Sequence, residues 1–168
     1  GEHLLGLIND VLEISKIEAG RISLQETPFD LHQMLQGVAE MLKIRAESKG
    51  LQLLFELGEA VPQFVFADEN KLRQILINLL HNAKYACDEA GRPDKQVTIR
   101  IRPEGAERVR IEVADNGCGI PEAKLARIFN PFFTTKERGT GLGMAIAKKI
   151  VDSHQGQISV ESAEGRGT

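Results

Sequence analysis

The sequence predicts an α+β fold, a two-layer sandwich of a mixed sheet and helices that is preceded by one long helix. Segments with apolar residues at helical spacing alternate with short runs typical of strands. The strands are joined as hairpins or separated irregularly, without the regular βαβ alternation that a doubly wound parallel fold requires. A length of 168 residues with 42% hydrophobic residues suits one domain of ordinary size.

Charge, apolar run length and cysteine content argue against a nucleic-acid-binding, membrane-spanning or disulfide-stabilised protein. The net charge of -3 gives no basic footprint for nucleic acid. The apolar runs are far shorter than the roughly 20 residues that cross a bilayer, and polar residues interrupt the start of the chain, so we expect no membrane contact and no signal peptide. Cys87 and Cys118 lack metal-type spacing, which favours free thiols in a reducing cytoplasm.

The chain begins with a predicted helix over residues 2–19, which Gly20 ends. Its apolar stripe recurs at three- and four-residue steps. The members of the stripe are Leu4, Leu5, Ile8, Val11, Leu12 and Ser15. Two interpretations stay open: an amphipathic helix packed on its own domain, or, because the stripe follows heptad spacing, a helix from a larger bundle.

The next segments predict a strand, a helix and a second strand. Alternation over residues 21–25 is typical of a short strand. Asp30 and Gln33 resemble a capping box, which predicts a helix that runs to about Ser48. The apolar run 51–57 follows and reads as a strand.

The centre of the chain predicts a short strand and a long helix. Pro62 marks a turn before the apolar run 64–67. Asp68 can cap a helix that continues to about Cys87, and residues 90–94 form a loop by composition. The remaining predicted elements are strands 97–102 and 109–114 with a turn at 103–105, a glycine-rich loop 115–141 with a short helix started at Pro121, a helix over 142–153, and a strand that starts within 157–160.

Two asparagines mark one side of the helix that follows Asp68. At about 100° per residue its apolar residues fall on one arc, and Asn78 and Asn82 lie one turn apart at the edge of that arc. Asparagine is a mediocre helix former and needs a partner at a core margin. A carbonyl oxygen in this position suits Mg²⁺ beside phosphates; the alternative is that both side chains bind a neighbouring loop.

A glycine-rich turn follows the second hairpin strand, with the sequence Asp115-Asn116-Gly117-Cys118-Gly119-Ile120. Alternate glycines permit a tight turn and close approach of the backbone to a ligand. A carboxylate at a strand end can accept a hydrogen bond from an exocyclic amine such as that of adenine. An ordinary strand-to-helix turn is the alternative.

A second glycine-rich stretch covers residues 136–144 and leads into a predicted helix. Its glycines leave backbone N–H groups free to face an anion, and the helix dipole favours negative charge there. Lys136 and Arg138 add positive charge. The pattern is neither a Walker loop nor a dinucleotide-binding motif. It indicates a phosphate-binding loop, with a flexible loop that binds nothing as the alternative.

Taken together, these motifs resemble the ATP-binding domain that sensor histidine kinases share with gyrase-type ATPases. The resemblance covers residues 21–168, including an F box at 129–136. The boxes in chain order are the N box Leu72-Arg73-Gln74-Ile75-Leu76 with Asn78-Leu79-Leu80-His81-Asn82-Ala83, the G1 box 115–120, the F box Phe129-Asn130-Pro131-Phe132-Phe133-Thr134-Thr135-Lys136, the G2 box Gly139-Thr140-Gly141-Leu142-Gly143-Met144, and the final motif Gly165-Arg166-Gly167-Thr168. We expect the last strand of that domain to be missing from this chain.

The resemblance implies that the cofactors are ATP and Mg²⁺, and it assigns the phosphate side of the site. Asn82 would be the metal ligand that holds the Mg²⁺ bridging the phosphates, supported by Asn78 one turn earlier. These two residues and Lys136 are the predicted catalytic residues. Lys84 and Tyr85 would contact phosphate and adenine, although the family usually has one more residue before its basic residue.

The resemblance also assigns the adenine pocket and the phosphate loop. Asp115 would bind the adenine amino group, within a pocket shaped by Gly117, Gly119 and Ile120. Thr168 would help to hold the adenine side of the site. The residues that would wrap the phosphates are Gly139, Thr140, Gly141, Leu142 and Gly143.

Three functions compete, and the resemblance favours the kinase. A gyrase-type ATPase needs a carboxylate one turn before the metal-binding asparagine to activate water. That position is Asn78, and an amide cannot take a proton. A nucleotide-sensing binding module is the third possibility, which the presence of every ATP box disfavours.

Residues 1–20 resemble the second helix of the dimerisation and phosphotransfer hairpin of the family. The phosphoacceptor of that hairpin is a histidine followed by an acidic residue, and a Leu, Gln, Asn or Gln follows each of the four histidines here: His3, His32, His81 and His154. We therefore expect the acceptor on a missing first helix. The implied partners are this hairpin, a response-regulator receiver domain, and a second copy in a full-length homodimer, in the cytoplasm.

Overall fold

The computed structural model describes residues 2–20, 22–137 and 139–168, and it confirms the α+β class with one leading helix. The ten elements in these ranges are α1 Glu2–Glu18, β1 Thr27–Asp30, α2 Leu31–Glu47, β2 Gln52–Leu57, β3 Phe64–Ala67, α3 Glu69–Ala90, β4 Gln96–Glu104, β5 Arg108–Asp115, α4 Glu122–Leu125 and α5 Gly143–Ser153.

The strands of the described ranges form two sheets, and the larger one is the mixed sheet that the sequence predicts. In the larger sheet, β2 runs parallel to β4 and β4 runs antiparallel to β5. The strands β1 and β3 pair antiparallel in a separate two-stranded sheet. The larger sheet carries the mixed character, and β5 delivers Asp115 at its end.

The two long helices begin where the sequence predicts. The Asp30 side chain accepts a hydrogen bond from the Gln33 amide at 2.8 Å, and Asp68 caps α3 in the same way through Lys71 at 3.1 Å. Such caps satisfy amides that have no partner within the helix. The helix α3 continues to Ala90, beyond the predicted end, because Gly91 supplies the left-handed cap.

Apolar side chains divide into two core clusters. The larger cluster lies between the three-stranded sheet and the helices α2 and α3, with Leu76, Val97 and Ile101 among its buried members. The smaller cluster joins α3 to α5 through Ile75 and Ile146. The helix α3 is shared by both clusters, so its position is fixed from two sides.

The leading helix packs on the rest of the chain through the middle and the second half of its length. Ile14 is only 5% exposed in the smaller cluster. Beside it, the Glu13 carboxylate pairs with Lys71 and accepts a hydrogen bond from Gln74 at 2.5 Å. The large apolar residues of the predicted stripe are all exposed, namely Leu4, Leu5, Ile8, Val11 and Leu12, and Leu7 beside them is exposed as well. This helix therefore contacts its own domain and still presents an apolar face. None of the helices in the described ranges has the length and apolar character needed to cross a bilayer.

Three predicted details are wrong. No strand forms over the described part of 21–25 or over 157–160, although Arg21 itself lies outside the described residues. Both segments alternate, but a strand exists only where a neighbour accepts its hydrogen bonds, and alternation does not supply that neighbour. The hairpin strands extend through Glu104 and resume at Arg108, so the turn covers residues 105–107 instead of 103–105.

Candidate functional site

The two asparagines of α3 contact the F box and the glycine-rich stretch, and we call this region the cleft: Asn82 meets a lysine of the F box, and Asn78 meets Gly143. Lys136 Nζ donates a hydrogen bond to Asn82 Oδ1 at 2.5 Å and lies 4.7 Å from the centre of the Tyr85 ring. One turn earlier, Asn78 Nδ2 donates to the Gly143 carbonyl at 3.4 Å. The structure thus brings together Asn78, Asn82, Tyr85 and Lys136.

The ammonium group of Lys136 lies in a partly buried place. Burial lowers the pKa of Lys136, because water no longer solvates the charge fully. Among the described residues its recorded polar partner is the amide oxygen of Asn82, which is neutral, and the Tyr85 ring adds a cation–π contact. The cleft therefore holds a positive charge that an anion would stabilise.

Lys84 lies elsewhere. Its Nζ pairs with Asp88 at 2.5 Å, and Asp88 also binds Lys95 at 2.8 Å. Lys84 lines an apolar cavity of ≈ 270 Å³ together with His81 and Lys49, between α2, α3 and the sheet. Of the predicted residues on α3, Lys84 is the one that the structure does not bring to the cleft.

Asp115 lies at the end of β5 with its carboxylate held by the following turn. Its Oδ1 accepts a hydrogen bond from the Gly117 amide at 2.8 Å, and its own amide donates to the Thr168 carbonyl at 2.8 Å. Burial raises the pKa of Asp115, although the hydrogen bonds of Gly117 and Thr168 oppose this effect. The residue lines a separate open cavity of ≈ 390 Å³ with Ser162, Arg166 and Thr168.

The glycines of the 115–120 turn are required by close backbone contacts. A Cβ at Gly117 would lie 2.4 Å from the Ala86 carbonyl carbon of α3. Gly119 has φ +68°, and a Cβ there would lie 2.0 Å from the Ala163 carbonyl oxygen. The turn is thereby packed between α3 and the final glycine motif. Asn116 is structural, since its side chain binds the Gln96 amide at 2.8 Å.

Ser162 belongs to this side of the candidate site, and no sequence motif marks it. Its hydroxyl oxygen accepts a hydrogen bond from the Ile120 amide at 2.8 Å. The same hydroxyl donates to the Gly167 carbonyl and lies 2.9 Å from Thr168 Oγ1. A lone serine in a loop has many possible roles, and these contacts depend on a fold that joins distant segments.

The glycine loop, residues 139–143, contacts α3 at its last residue, where Gly143 meets the Asn78 side chain. Arg138, which was predicted to add charge beside the loop, lies outside the described residues. Gly141 has φ +70°, and a Cβ there would lie 2.4 Å from the carbonyl carbon of Phe132. Leu142 is fully buried, so only its backbone can face a ligand. Thr140 Oγ1 accepts from the Leu142 amide at 3.3 Å and lies 3.5 Å from Asp10 Oδ2 of α1.

The loop ends in α5, which starts at Gly143 without a side-chain cap from Leu142. Amides in the first turn of such a helix have no partner within it and can bind an anion. The arrangement can therefore accept phosphate oxygens at α5 and Lys136, and an amine at Asp115. The F box adds an exposed aromatic: Phe132 is 63% exposed at φ 66°, while Phe133 stacks with Arg127.

Comparison with known proteins identifies the family that this chain resembles. The family model for the histidine kinase-, DNA gyrase B- and HSP90-like ATPases matches residues 67–168. The circadian input-output histidine kinase CikA of Synechococcus elongatus is 42% identical over 175 residues, which cover 100% of this chain and 22% of CikA. The chain thus spans about a fifth of the length of this curated relative.

Two solved structures extend the comparison. Full-length ShkA in complex with AMPPNP has a TM-score of 0.87 at 35% identity, over 99% of this chain and 34% of that one. Histidine kinase ThkA in complex with the response regulator protein TrrA has a TM-score of 0.71 at 29% identity, over 92% of this chain and 42% of that one.

Proposed function

Because the chain belongs to the family of histidine kinase-, DNA gyrase B- and HSP90-like ATPases, we propose that it is the catalytic part of a two-component sensor histidine kinase. In this proposal the chain binds ATP with Mg²⁺ and transfers the γ-phosphoryl group to a histidine that it does not itself contain. ATP is supported by the family and by the AMPPNP complex of ShkA. Because ATP is supplied inside the cell, we place the reaction in the cytoplasm.

One observation carries the proposal: the hydrogen bond from Lys136 Nζ to Asn82 Oδ1 at 2.5 Å. It joins the N box to the F box across the cleft and leaves an amide oxygen directed at a positive charge. An oxygen that faces a cation in this way fits a Mg²⁺ ligand, since Mg²⁺ prefers oxygen donors and keeps several waters. The described residues contain no cluster of three or more His, Cys, Asp or Glu that could hold a metal alone. The other ligands would come from phosphates and water.

Each side of the cleft has a proposed task. Asn82 would hold the metal, and Mg²⁺, when bound, would neutralise charge on the phosphate oxygens. Lys136 would pair with phosphate oxygens together with the amides of the glycine loop, over residues 139–143. Asp115 would accept a hydrogen bond from the adenine amine, and Tyr85 would pack near the base. Positioning of this kind is the main source of catalysis in phosphoryl transfer.

The kinase is favoured over a water-activating ATPase by the chemistry of Asn78. Its amide cannot accept a proton from water, and its Nδ2 is used to bind the Gly143 carbonyl. In this proposal Asn78 is a supporting residue that links α3 to the glycine loop.

The acceptor and the partners are also part of the proposal. His32 and His154 bind backbone groups at 3.1 Å, through Val61 and Asp68, and so act in the fold. We propose that the acceptor lies on a hairpin whose second helix is residues 1–20, in a homodimer. The ThkA–TrrA complex supports a response-regulator receiver domain as the next phosphoryl acceptor.

Calorimetric titration with AMPPNP, with and without Mg²⁺, tests the site. Replacing Asn82 by Ala is expected to remove most of the Mg²⁺-dependent affinity, a fall of about tenfold or more, because a metal ligand is lost. Asn70→Ala is the matched control, since Asn70 is an exposed asparagine of the same helix. Equal Mg²⁺-dependent binding by Asn82→Ala and Asn70→Ala would refute Asn82 as the ligand.

Radiolabelled ATP tests the transfer. The chain alone should form no phosphohistidine, whereas an added phosphoacceptor hairpin of a related kinase should become labelled. Stable label on the chain itself would contradict the proposed location of the acceptor.

A further inference from the structure

The helices α3 and α5 run antiparallel and are tied at both ends of their contact. At one end, the Asp68 amide donates a hydrogen bond to His154 Nε2 at 3.1 Å. At the other end, Asn78 Nδ2 donates to the Gly143 carbonyl at 3.4 Å. Ile75 and Ile146 fill the space between the helices. The second of these ties lies at the nucleotide cleft, and the first lies far from it.

The lengths of the two helices match between the ties. At a rise of about 1.5 Å per residue, Asp68 and Asn78 are about 15 Å apart along α3, and Gly143 and His154 are about 16 Å apart along α5. A shift of α5 by one turn, about 5.4 Å, would break both hydrogen bonds together. The two ties therefore define one register of α5 against α3.

The imidazole of His154 is held in one tautomer. Its Nδ1 lies 2.9 Å from the Ile150 carbonyl, which can only accept, so Nδ1 carries the hydrogen. Its Nε2 is then the free acceptor that receives the Asp68 amide. This pairing satisfies an amide whose residue is buried, since Asp68 is only 5% exposed.

Asp68 is itself a junction of three segments. Its carboxylate accepts the Lys71 amide of α3 at 3.1 Å and the Gln25 amide of the segment after α1 at 2.9 Å. Burial by itself would raise the pKa of Asp68, but the hydrogen bonds from the amides of Gln25 and Lys71, together with the charge of Lys71, hold that pKa below its ordinary value. The carboxylate thus stays available as an acceptor.

We propose that His154 is a positioning residue for the nucleotide site: by accepting the Asp68 amide, it fixes the register of α5 on α3 and hence the place of the glycine loop relative to Asn82. The inference rests on the proposed function, because it assumes that Asn82 and the glycine loop hold one nucleotide between them. His154 acts through the two helices and touches no nucleotide.

Two substitutions separate positioning from simple stability. His154→Gln places an oxygen acceptor near the Nε2 position, whereas His154→Asn keeps a donor near Nδ1 and loses the distant acceptor. We expect His154→Asn to lower the Mg²⁺-dependent affinity for AMPPNP about tenfold, the effect of one buried amide left unpaired. His154→Gln should remain within about threefold of the wild type. Ser153→Ala is the control, because it loses only a bond within α5.

The contrast between Gln and Asn decides the outcome. Equal affinities for the two variants, whether unchanged or equally weakened, would overturn the inference. A double variant with Asn82→Ala should be no weaker in Mg²⁺-dependent binding than Asn82→Ala alone, since both act on one contact. Additive losses would contradict a role through Asn82. If the wild type itself binds no AMPPNP, the proposed function fails, and this inference fails with it for a different reason.

A measurement on the unmodified chain covers the case in which a variant does not fold. Scalar coupling across the hydrogen bond between the Asp68 amide nitrogen and His154 Nε2 should be detectable by nuclear magnetic resonance in ¹⁵N-labelled protein. Its absence would remove the tie on which the inference depends.

Discussion

Gly117 offers a test in which the cost of one methyl group can be worked from the structure. A Cβ at this position would lie 2.4 Å from the carbonyl carbon and 2.6 Å from the carbonyl oxygen of Ala86. Both atoms belong to the backbone of α3 and cannot rotate away. Gly117→Ala therefore has to push the 115–120 turn away from α3 by about 1 Å, to reach an ordinary contact.

The displacement has a predictable cost. Overpacking against a fixed backbone costs about 1–3 kcal/mol, and the upper part of this range is expected here because the contact is with main-chain atoms. For a chain of this length, about 3 kcal/mol lowers Tm by about 6–12 °C. The turn also carries Asp115, whose carboxylate binds the Gly117 amide at 2.8 Å, so nucleotide binding should weaken as well.

Gly143→Ala is the matched control. A Cβ there would lie 3.6 Å from the nearest atom of Asn78, which is an ordinary contact. Urea denaturation should place Gly143→Ala within about 1 kcal/mol of the wild type, since alanine is also the better helix former. If Gly117→Ala were as stable as Gly143→Ala, the packing of this turn on α3 would be refuted.

Three further substitutions test the electrostatics and the packing. Asp115→Asn should stabilise the nucleotide-free chain by on the order of 1 kcal/mol at neutral pH while weakening ATP binding. Burial raises the Asp115 pKa, so the stability that its proton contributes to the wild type is present in acid and is lost as pH rises through the folded pKa. The stability gained by Asp115→Asn should therefore shrink as pH falls towards 3.8 in urea titrations. An equal gain at every pH would contradict this reasoning. Lys136→Gln should lower AMPPNP affinity about 10- to 100-fold, the effect of a lost charged hydrogen bond, whereas Lys84→Gln should change it less than about twofold; equal losses in calorimetry would refute the difference. Ile14→Ala should speed amide hydrogen exchange in α1 without affecting β4, because a buried contact is lost. Leu12→Ala, at an exposed position, should leave exchange in α1 unchanged. Equal exchange in both variants would mean that Ile14 does not anchor the helix.

The starts of the helices α2 and α3 were predicted well, because the capping residues that define them act on neighbours in sequence. Asp30 and Asp68 have side chains that bind the first turn of a helix, and this requires only neighbours in sequence. The strand Phe64–Ala67 has the predicted bounds because Pro62 and Asp68 limit it on both sides. Residues 157–160 alternate equally well and form no strand, because pairing depends on a neighbour that the local sequence does not specify.

The contacts of the candidate site follow from the sequence where a motif is continuous, and they do not follow from it where distant segments meet. Asp115 and the glycines after it form one motif, and the fold uses them at one turn. Ser162 lies outside that motif and reaches it only because the final loop packs on Gly119. Likewise, the contact between Lys136 and Asn82 joins two motifs whose mutual distance no local pattern records.

Lys84 shows that the role of a residue in a helical motif depends on its angle about the helix axis, which one residue more or fewer changes by about 100°. Each residue turns the helix by about 100°, so Lys84 is about 200° from Asn82, while Tyr85 returns to within about 60°. The resemblance assigned Lys84 to phosphate. Because this chain has one residue fewer before the lysine than the family usually has, the Lys84 side chain lies on the far side of α3, where it pairs with Asp88. Lys136 lies beside Asn82, in the place where a basic residue of α3 was expected. We therefore expect the loop lysine, instead of the helix lysine, to meet the phosphates, and the paired substitutions at these two positions distinguish the alternatives.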